Sequence, residues 1–188
     1  MKLFRARDIP WTKNGIMYLK RPERPSDAYL ASRIKFTTFT LTPDKILNGT
    51  YFFAYEADAV DYMNRCGEDT AVHIFDLPDG VLTPADCGLG VYEKGFLKPG
   101  EVVPVVPKIE LLIDYEKVKN LEPAQMGWGN IINCREDVGY MQELRSRFRA
   151  LNFDIDSLNT TKGIEPLIEK IPGQQIGEIV YDIISQSK

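Results

Sequence analysis

A chain with one histidine has few ways to build the common catalytic machines. His73 is that residue, which removes most multi-histidine metal sites, and any Ser-His-Asp or Cys-His arrangement would have to use it. It lies in the alternating run Ala71-Val72-His73-Ile74-Phe75-Asp76-Leu77, where a packed histidine is commoner than a catalytic one. Cys66, Cys87 and Cys134 are odd in number, widely spaced and form no CxxC pair. They support neither a disulfide framework nor a zinc site and are expected to be buried free thiols. Gly88, Gly90 and Gly95 crowd the stretch Asp86 to Gly95, but their spacing matches neither a dinucleotide GxGxxG nor a phosphate-binding GxxxxGKS/T loop. Arg145, Arg147 and Arg149 gather near the end of an expected helix. Cations there complement the helix dipole, so they read first as a solvated face and only second as a nucleic-acid patch. With a net charge of −4 and no other basic stripe, nucleic-acid binding is the weakest functional class.

The elements that must position any site begin with the run from Asn48 to Met63. Asn48-Gly49 is a turn dipeptide, Thr50 to Phe53 are four β-favouring residues, and from Tyr55 the period becomes helical, with Glu56, Asp58 and Asp61 mostly opposite Tyr55, Ala59 and Tyr62. Thr42-Pro43 caps a short helical turn just before it. Upstream, Lys2 to Ala6 and Ile16 to Lys20 read as strands, Arg21 to Pro25 as a loop, Tyr29 to Ser32 as a helical turn, and Ile34 to Leu41 as a strand rich in β-branched and aromatic residues. Downstream, Pro78-Asp79-Gly80 is a tight reversal after the strand Val72 to Leu77. Pro99-Gly100 turns the chain into Glu101 to Pro107, an edge strand or bulge because of its two prolines. Lys108 to Tyr115 alternates, with Ile109, Leu111, Ile113 and Tyr115 on one face, and is expected to be a core strand. Beyond Leu121 the character is helical. A helix opens near Glu136 with an apolar stripe of Tyr140, Leu144, Phe148 and Leu151, and a last helix from Pro172 carries Ile176, Ile179, Val180, Ile183 and Ile184 on one side.

The chain has 188 residues, of which 44% are hydrophobic, enough for a substantial core in one domain or one domain with an appendage. No run approaches the roughly 18 apolar residues of a membrane span, and Met1 to Arg5 lacks the pattern of a signal peptide, so the expected setting is the cytoplasm.

Gly49-Thr50-Tyr51-Phe52-Phe53-Ala54, followed by Ala59 and Tyr62, resembles the Gly-x-Tyr-Phe-Ala then Ala-x-x-Tyr segment of the ADP-ribosyltransferase fold, found in poly(ADP-ribose) polymerases and bacterial toxins. Downstream, Gly88-Leu89-Gly90, Glu101-Val102-Val103 and Ile109 to Tyr115 are similar in order to that family's glycine-rich stretch, glutamate-bearing strand and following hydrophobic strand. The resemblance covers about residues 1–118. It implies an α+β fold of two small antiparallel sheets packed as a split β-sandwich over residues 1–120, and residues 124–188 are then a C-terminal helical extension packed on that core.

The resemblance also implies an activity. Cleaving the nicotinamide–ribose bond of NAD builds an oxocarbenium-like ribose, which a placed carboxylate stabilises. Glu101 takes the catalytic role, Tyr51 offers an aromatic face to the nicotinamide, and Arg5 or alternatively Arg21 grips ribose or pyrophosphate in place of the family's histidine. Thr38, in Thr37-Thr38-Phe39-Thr40, resembles the Ser-Thr-Ser strand of the arginine-type enzymes, and Tyr62 completes the helix motif. The family's second Glu or Gln, two residues before the glutamate, is absent, because Pro99 stands there. NAD is then the substrate, used by an ADP-ribosyltransferase or an NAD glycohydrolase with no metal, and a macromolecular acceptor is the expected partner. The alternative is a non-enzymatic protein-binding module on the same scaffold, using Trp128 and the C-terminal helices.

Overall fold

A computed structural model describes residues 1–8, 12–13, 16–17, 24, 26–66, 70–91, 98–127 and 139–187. The Trp128 loop, Arg21, Cys134 and the first turn expected at Glu136 lie outside the described residues. The chain is α+β. Its strands are β1 (Lys2–Asp8), β2 (Thr12–Lys13), β3 (Ile16–Met17), β4 (Gly49–Phe53), β5 (Thr70–Asp76), β6 (Cys87–Gly90), β7 (Lys108–Asp114) and β8 (Pro123–Gly127). Its helices are α1 (Asp27–Phe36), α2 (Pro43–Asn48), α3 (Glu56–Cys66), α4 (Tyr115–Val118), α5 (Gly139–Ala150), α6 (Glu165–Lys170) and α7 (Gly173–Gln186). No described helix is long and apolar enough to cross a membrane.

Six strands form one open antiparallel sheet in the order β6-β7-β4-β1-β5-β8, and β2 pairs with β3 in a separate two-stranded ribbon. The sheet is unevenly joined. β1 pairs with β5 over seven residues, from Lys2 with Asp76 to Asp8 with Thr70, whereas β1 meets β4 through one pair, Phe4 with Phe53. The described strands are therefore one sheet with a narrow middle, in contrast to the expected pair of separate sheets.

Local rules account for several elements. Thr42 caps α2 by accepting from the Lys45 N–H, with Pro43 in the first turn, and the Asp114 side chain caps α4 at the end of β7. Gly49 opens β4 with φ −82°, so it does not supply the positive φ expected of an Asn-Gly turn. Its value is space: a Cβ there would run into the Lys45 carbonyl and the Leu112 side chain, which lets α2 pass straight into the sheet.

Both faces of the sheet are covered, because opposed residues of neighbouring strands share a face and successive residues alternate. One face carries Leu3, Phe52, Phe75, Leu111 and Ile113 and joins a single core with Tyr140, Leu144 and Phe148 of α5, Leu167 of α6, and Ile176, Val180, Ile183 and Ile184 of α7. The apolar stripe of the last helix is thus buried within this chain. The other face carries Phe4, Phe53, Val72 and Ile74 under Ala59, Val60 and Met63 of α3. Ile34 to Phe36, expected in a strand, instead ends α1, and Thr37 forms an isolated bridge to Gly90. β-Propensity is weak against tertiary contact. Helical spacing here brings Arg33 onto β7, and hydrogen bonds from Val91 N to Phe36 O and from Thr38 N to Leu89 O seal the outer edge of β6.

Candidate functional site

Two polar residues of β7, Lys108 and Glu110, point into the protein. Lys108 and Glu110 alternate with Ile109 and Leu111, as on a half-exposed strand, yet Lys108 and Glu110 are each 1% exposed. The space they occupy is left by β6, whose Gly90 pairs with Lys108 and whose Gly88 pairs with Glu110. A Cβ on Gly90 would lie inside 3.0 Å of both carboxylate oxygens of Glu110. Gly90 makes room for that carboxylate, while a Cβ on Gly88 would meet Phe39 and Thr38 instead.

Tyr51 and Phe53 of β4 share this face, since they oppose Leu112 and Glu110 of β7. Arg33 reaches in from α1. Its Nη2 donates to Glu110 Oε2 at 3.1 Å, and its guanidinium carbon lies 4.1 Å from the centre of the Tyr51 ring. Phe39 meets the same ring edge-on, with centroids 6.1 Å apart. A planar cation is thereby held between an aromatic face and a carboxylate, a combination of cation–π and charge-assisted hydrogen bonding that is strong where water is excluded. Burial pushes the Glu110 carboxyl up from its ordinary range, the Arg33 guanidinium pulls it down, and nearby Asp58 adds to the upward push.

Further charges line the approach from α3. Lys108 Nζ pairs with Asp61 and lies 5.8 Å from the centre of the Phe53 ring. Asp58, fully buried in the first turn of α3, accepts from the Tyr140 hydroxyl at 2.7 Å. Tyr140 stacks on Tyr55 with centroids 3.9 Å apart. Helix α5 of the C-terminal region is thus bonded directly to the helix that flanks the site. Among the described residues, no group of His, Cys, Asp and Glu side chains is placed to hold a metal ion.

The residues singled out from the sequence are distributed as follows. Tyr51 is central to the cluster. Thr38 is buried, and its hydroxyl accepts from Leu89 N at 2.8 Å and pins the 37–38 segment to β6. Tyr62 packs on Phe53 at 5.6 Å between ring centroids. Arg5 points to the other face of the sheet, over the Phe52 ring, but its Nη1 reaches the Tyr51 carbonyl at 3.1 Å. Glu101 stands in the exposed turn made by Gly100 at φ 85°, and its carboxylate accepts from Lys98 N in that turn. The expected strand at Glu101 to Pro107 is a coil whose one bridge joins Pro104 to Asn159.

The sequence reading passed over Glu110, Arg33 and Lys108. Alternation drew attention only to the apolar face of β7, and the one available signal was the pair of glycines two residues apart on β6, which leaves a side-chain-free strip for something bulky to fill. Comparison with known proteins gives no match: no protein-family model, no curated protein and no solved structure matches this chain.

Proposed function

We propose that this protein cleaves the nicotinamide–ribose bond of NAD, as an ADP-ribosyltransferase or NAD glycohydrolase, at the surface formed by Tyr51 and Glu110. One observation carries the reading: this surface already holds a planar cation, the Arg33 guanidinium, stacked on Tyr51 and paired with Glu110. The reaction asks for the same electrostatics. The nicotinamide of NAD is a flat cationic ring, and loss of it leaves a ribose that is flat and positive at the reacting carbon. Tyr51 would stack on the leaving ring and Glu110 would face the developing charge, while Arg5 steadies β4 through the Tyr51 carbonyl. In this reading Glu110 of β7 takes the role that the family resemblance assigns to Glu101, and substrate takes the place of the guanidinium.

One feature supports the resemblance behind this reading. Tyr51 lies on a strand and Ala59 and Tyr62 on the helix that follows it, in the order that the motif requires. The two sheets that the resemblance implies are read here as β6-β7-β4 and β1-β5-β8, which one residue pair between β1 and β4 joins into a single sheet. The binding-module alternative has less behind it, because α7 spends its apolar stripe inside the core.

The test is NAD binding by calorimetry and nicotinamide release, in wild type and in Arg33→Ala, with and without cell extract. Glu110→Gln is expected to lower turnover by about 10²–10³ with little change in NAD affinity, the usual cost of one preorganised electrostatic contact. Glu101→Gln is expected to leave turnover unchanged. Absence of both binding and release in wild type and Arg33→Ala removes the enzyme reading, and a collapse of turnover in Glu101→Gln alone returns the catalytic role to that residue.

A further inference from the structure

The sequence gives Arg33 no special mark, yet its side chain bonds α1 to β7. Among the α1 residues whose burial the structure describes, Arg33 alone is buried, at 7% exposure, while Ile34 beside it is 60% exposed. Asp27, Ala28 and Ala31 are exposed as well, and Leu30, Lys35 and Phe36 are half-buried. A helix of this length in a globular protein is ordinarily held by an apolar face. Among the described side chains of this one, the buried contact is a guanidinium, with Phe36 packed on the core at its C-terminal end.

We infer that Tyr51 and Glu110 form a receptor for a planar organic cation which the protein fills in cis with Arg33, so that α1 is an autoinhibitory plug. The ligand class follows from what the site holds: a guanidinium or another flat cation, stacked on an aromatic ring and paired with a carboxylate. The geometry also supplies a hinge. The C-terminal end of α1 is sewn to the sheet by Val91 N on Phe36 O and by Thr38 N on Leu89 O, and the Thr37 hydroxyl closes the last turn on the Arg33 carbonyl at 2.6 Å. Its N-terminal end, at Ser26 to Ala28, lies on the surface. Release of Arg33 therefore removes the described side-chain bond between the middle of α1 and the sheet, with the sewn end left as the pivot. Once Arg33 leaves, Glu110 is a buried carboxylate without its counter-ion, a costly state that a cation supplied from solution relieves. The fixed positive charge nearby, Lys108, is already engaged by Asp61.

This inference deepens the NAD reading, whose site it shares, but its test needs no NAD. The probe is agmatine, a guanidinium on a butylamine, with 1,4-diaminobutane as a control that keeps the chain and loses the flat head. A second probe, 1-methylnicotinamide, is a flat pyridinium. Calorimetry and thermal melts on the full chain compare wild type, Arg33→Ala, Arg33→Lys and Arg33→Ala with Glu110→Gln. Hydrogen exchange follows the amides of residues 27–36. Arg33→Ala is expected to bind agmatine in preference to diaminobutane and to gain melting temperature from it, and the added Glu110→Gln is expected to abolish both effects. Wild type should bind agmatine about tenfold or more weaker, because a plug closed nine-tenths of the time reduces apparent affinity by about that factor, and saturating agmatine should speed exchange across α1. Arg33→Lys keeps the charge but loses the stacked fork, and serves in place of Arg33→Ala should that variant not fold. No preference for agmatine in either variant overturns the receptor, and unchanged exchange of wild-type α1 at saturation overturns the plug. Binding of agmatine without binding of 1-methylnicotinamide keeps the plug and takes away the NAD reading.

Discussion

Gly90 offers the sharpest test of how the site is built. Adding one methyl there, as Gly90→Ala, puts a Cβ inside 3.0 Å of Cδ and both carboxylate oxygens of Glu110, where ordinary contact begins near 3.4 Å. The backbone has little freedom to retreat, since Gly90 pairs with Lys108 on one side and bridges to Thr37 on the other. The Glu110 side chain must therefore give way, and its movement draws the carboxylate off Arg33, now 3.1 Å away. Overpacking alone costs about 1–3 kcal/mol, and breaking a buried ion pair costs about 3–5 kcal/mol. We expect a loss of about 3–5 kcal/mol for the substitution as a whole. Urea denaturation reads it as a fall in midpoint of about 1–5 M, given typical slopes of about 1–3 kcal/mol/M. Gly139→Ala is the control, because nothing lies within 4 Å of a Cβ there and alanine favours the start of α5 by up to about 1 kcal/mol. In a Glu110→Ala background the clash has no partner, so the added cost of Gly90→Ala should fall below about 1 kcal/mol. Equal costs in the two backgrounds would refute the idea that position 90 is glycine in order to seat this carboxylate.

Two further changes probe the surrounding charges. Tyr140→Phe keeps the stack on Tyr55 but removes the hydroxyl that donates to Asp58 at 2.7 Å, and a hydrogen bond to a buried charge is worth about 1.5–3 kcal/mol. A melting temperature equal to wild type would show that this bond does not fasten α5 to α3. Glu110 also sets a pH dependence. Burial raises its carboxyl in the folded state above the ordinary value of 4.5, against the opposing pull of Arg33, so the folded protein holds that proton more tightly than the unfolded chain does. The stabilisation this brings is complete below the ordinary value and is lost as pH climbs through the raised one. Wild type should therefore lose stability relative to Glu110→Gln as pH rises from about 4, and a stability difference that does not change with pH across that range would contradict the direction of the shift.

What the residues announce by themselves is local. The Thr42-Pro43 cap of α2, the change of period between β4 and α3, and the stripe of Ile176, Val180, Ile183 and Ile184 in α7 are all present in the structure, because capping and periodicity act over one or two turns of chain. The alternation of β7 is equally legible, but alternation says only that two faces differ. That both faces are buried was decided by distant pieces: the C-terminal helices on one side, and α1 with the glycines of β6 on the other. Glu110 thus reads as a solvated residue in its own strand and becomes a buried carboxylate only when Gly90, some twenty residues earlier, leaves room for it and Arg33, much farther back, supplies its charge. The same logic turns Ile34 to Phe36 from an apparent strand into the end of a helix, since the pairing that outweighs their β-propensity is made with strands far along the chain. Glu101 shows the converse. Its turn at Pro99-Gly100 is written locally and is formed, but whether such a glutamate faces solvent or a cleft depends on what the fold brings opposite it, and here the fold leaves it exposed.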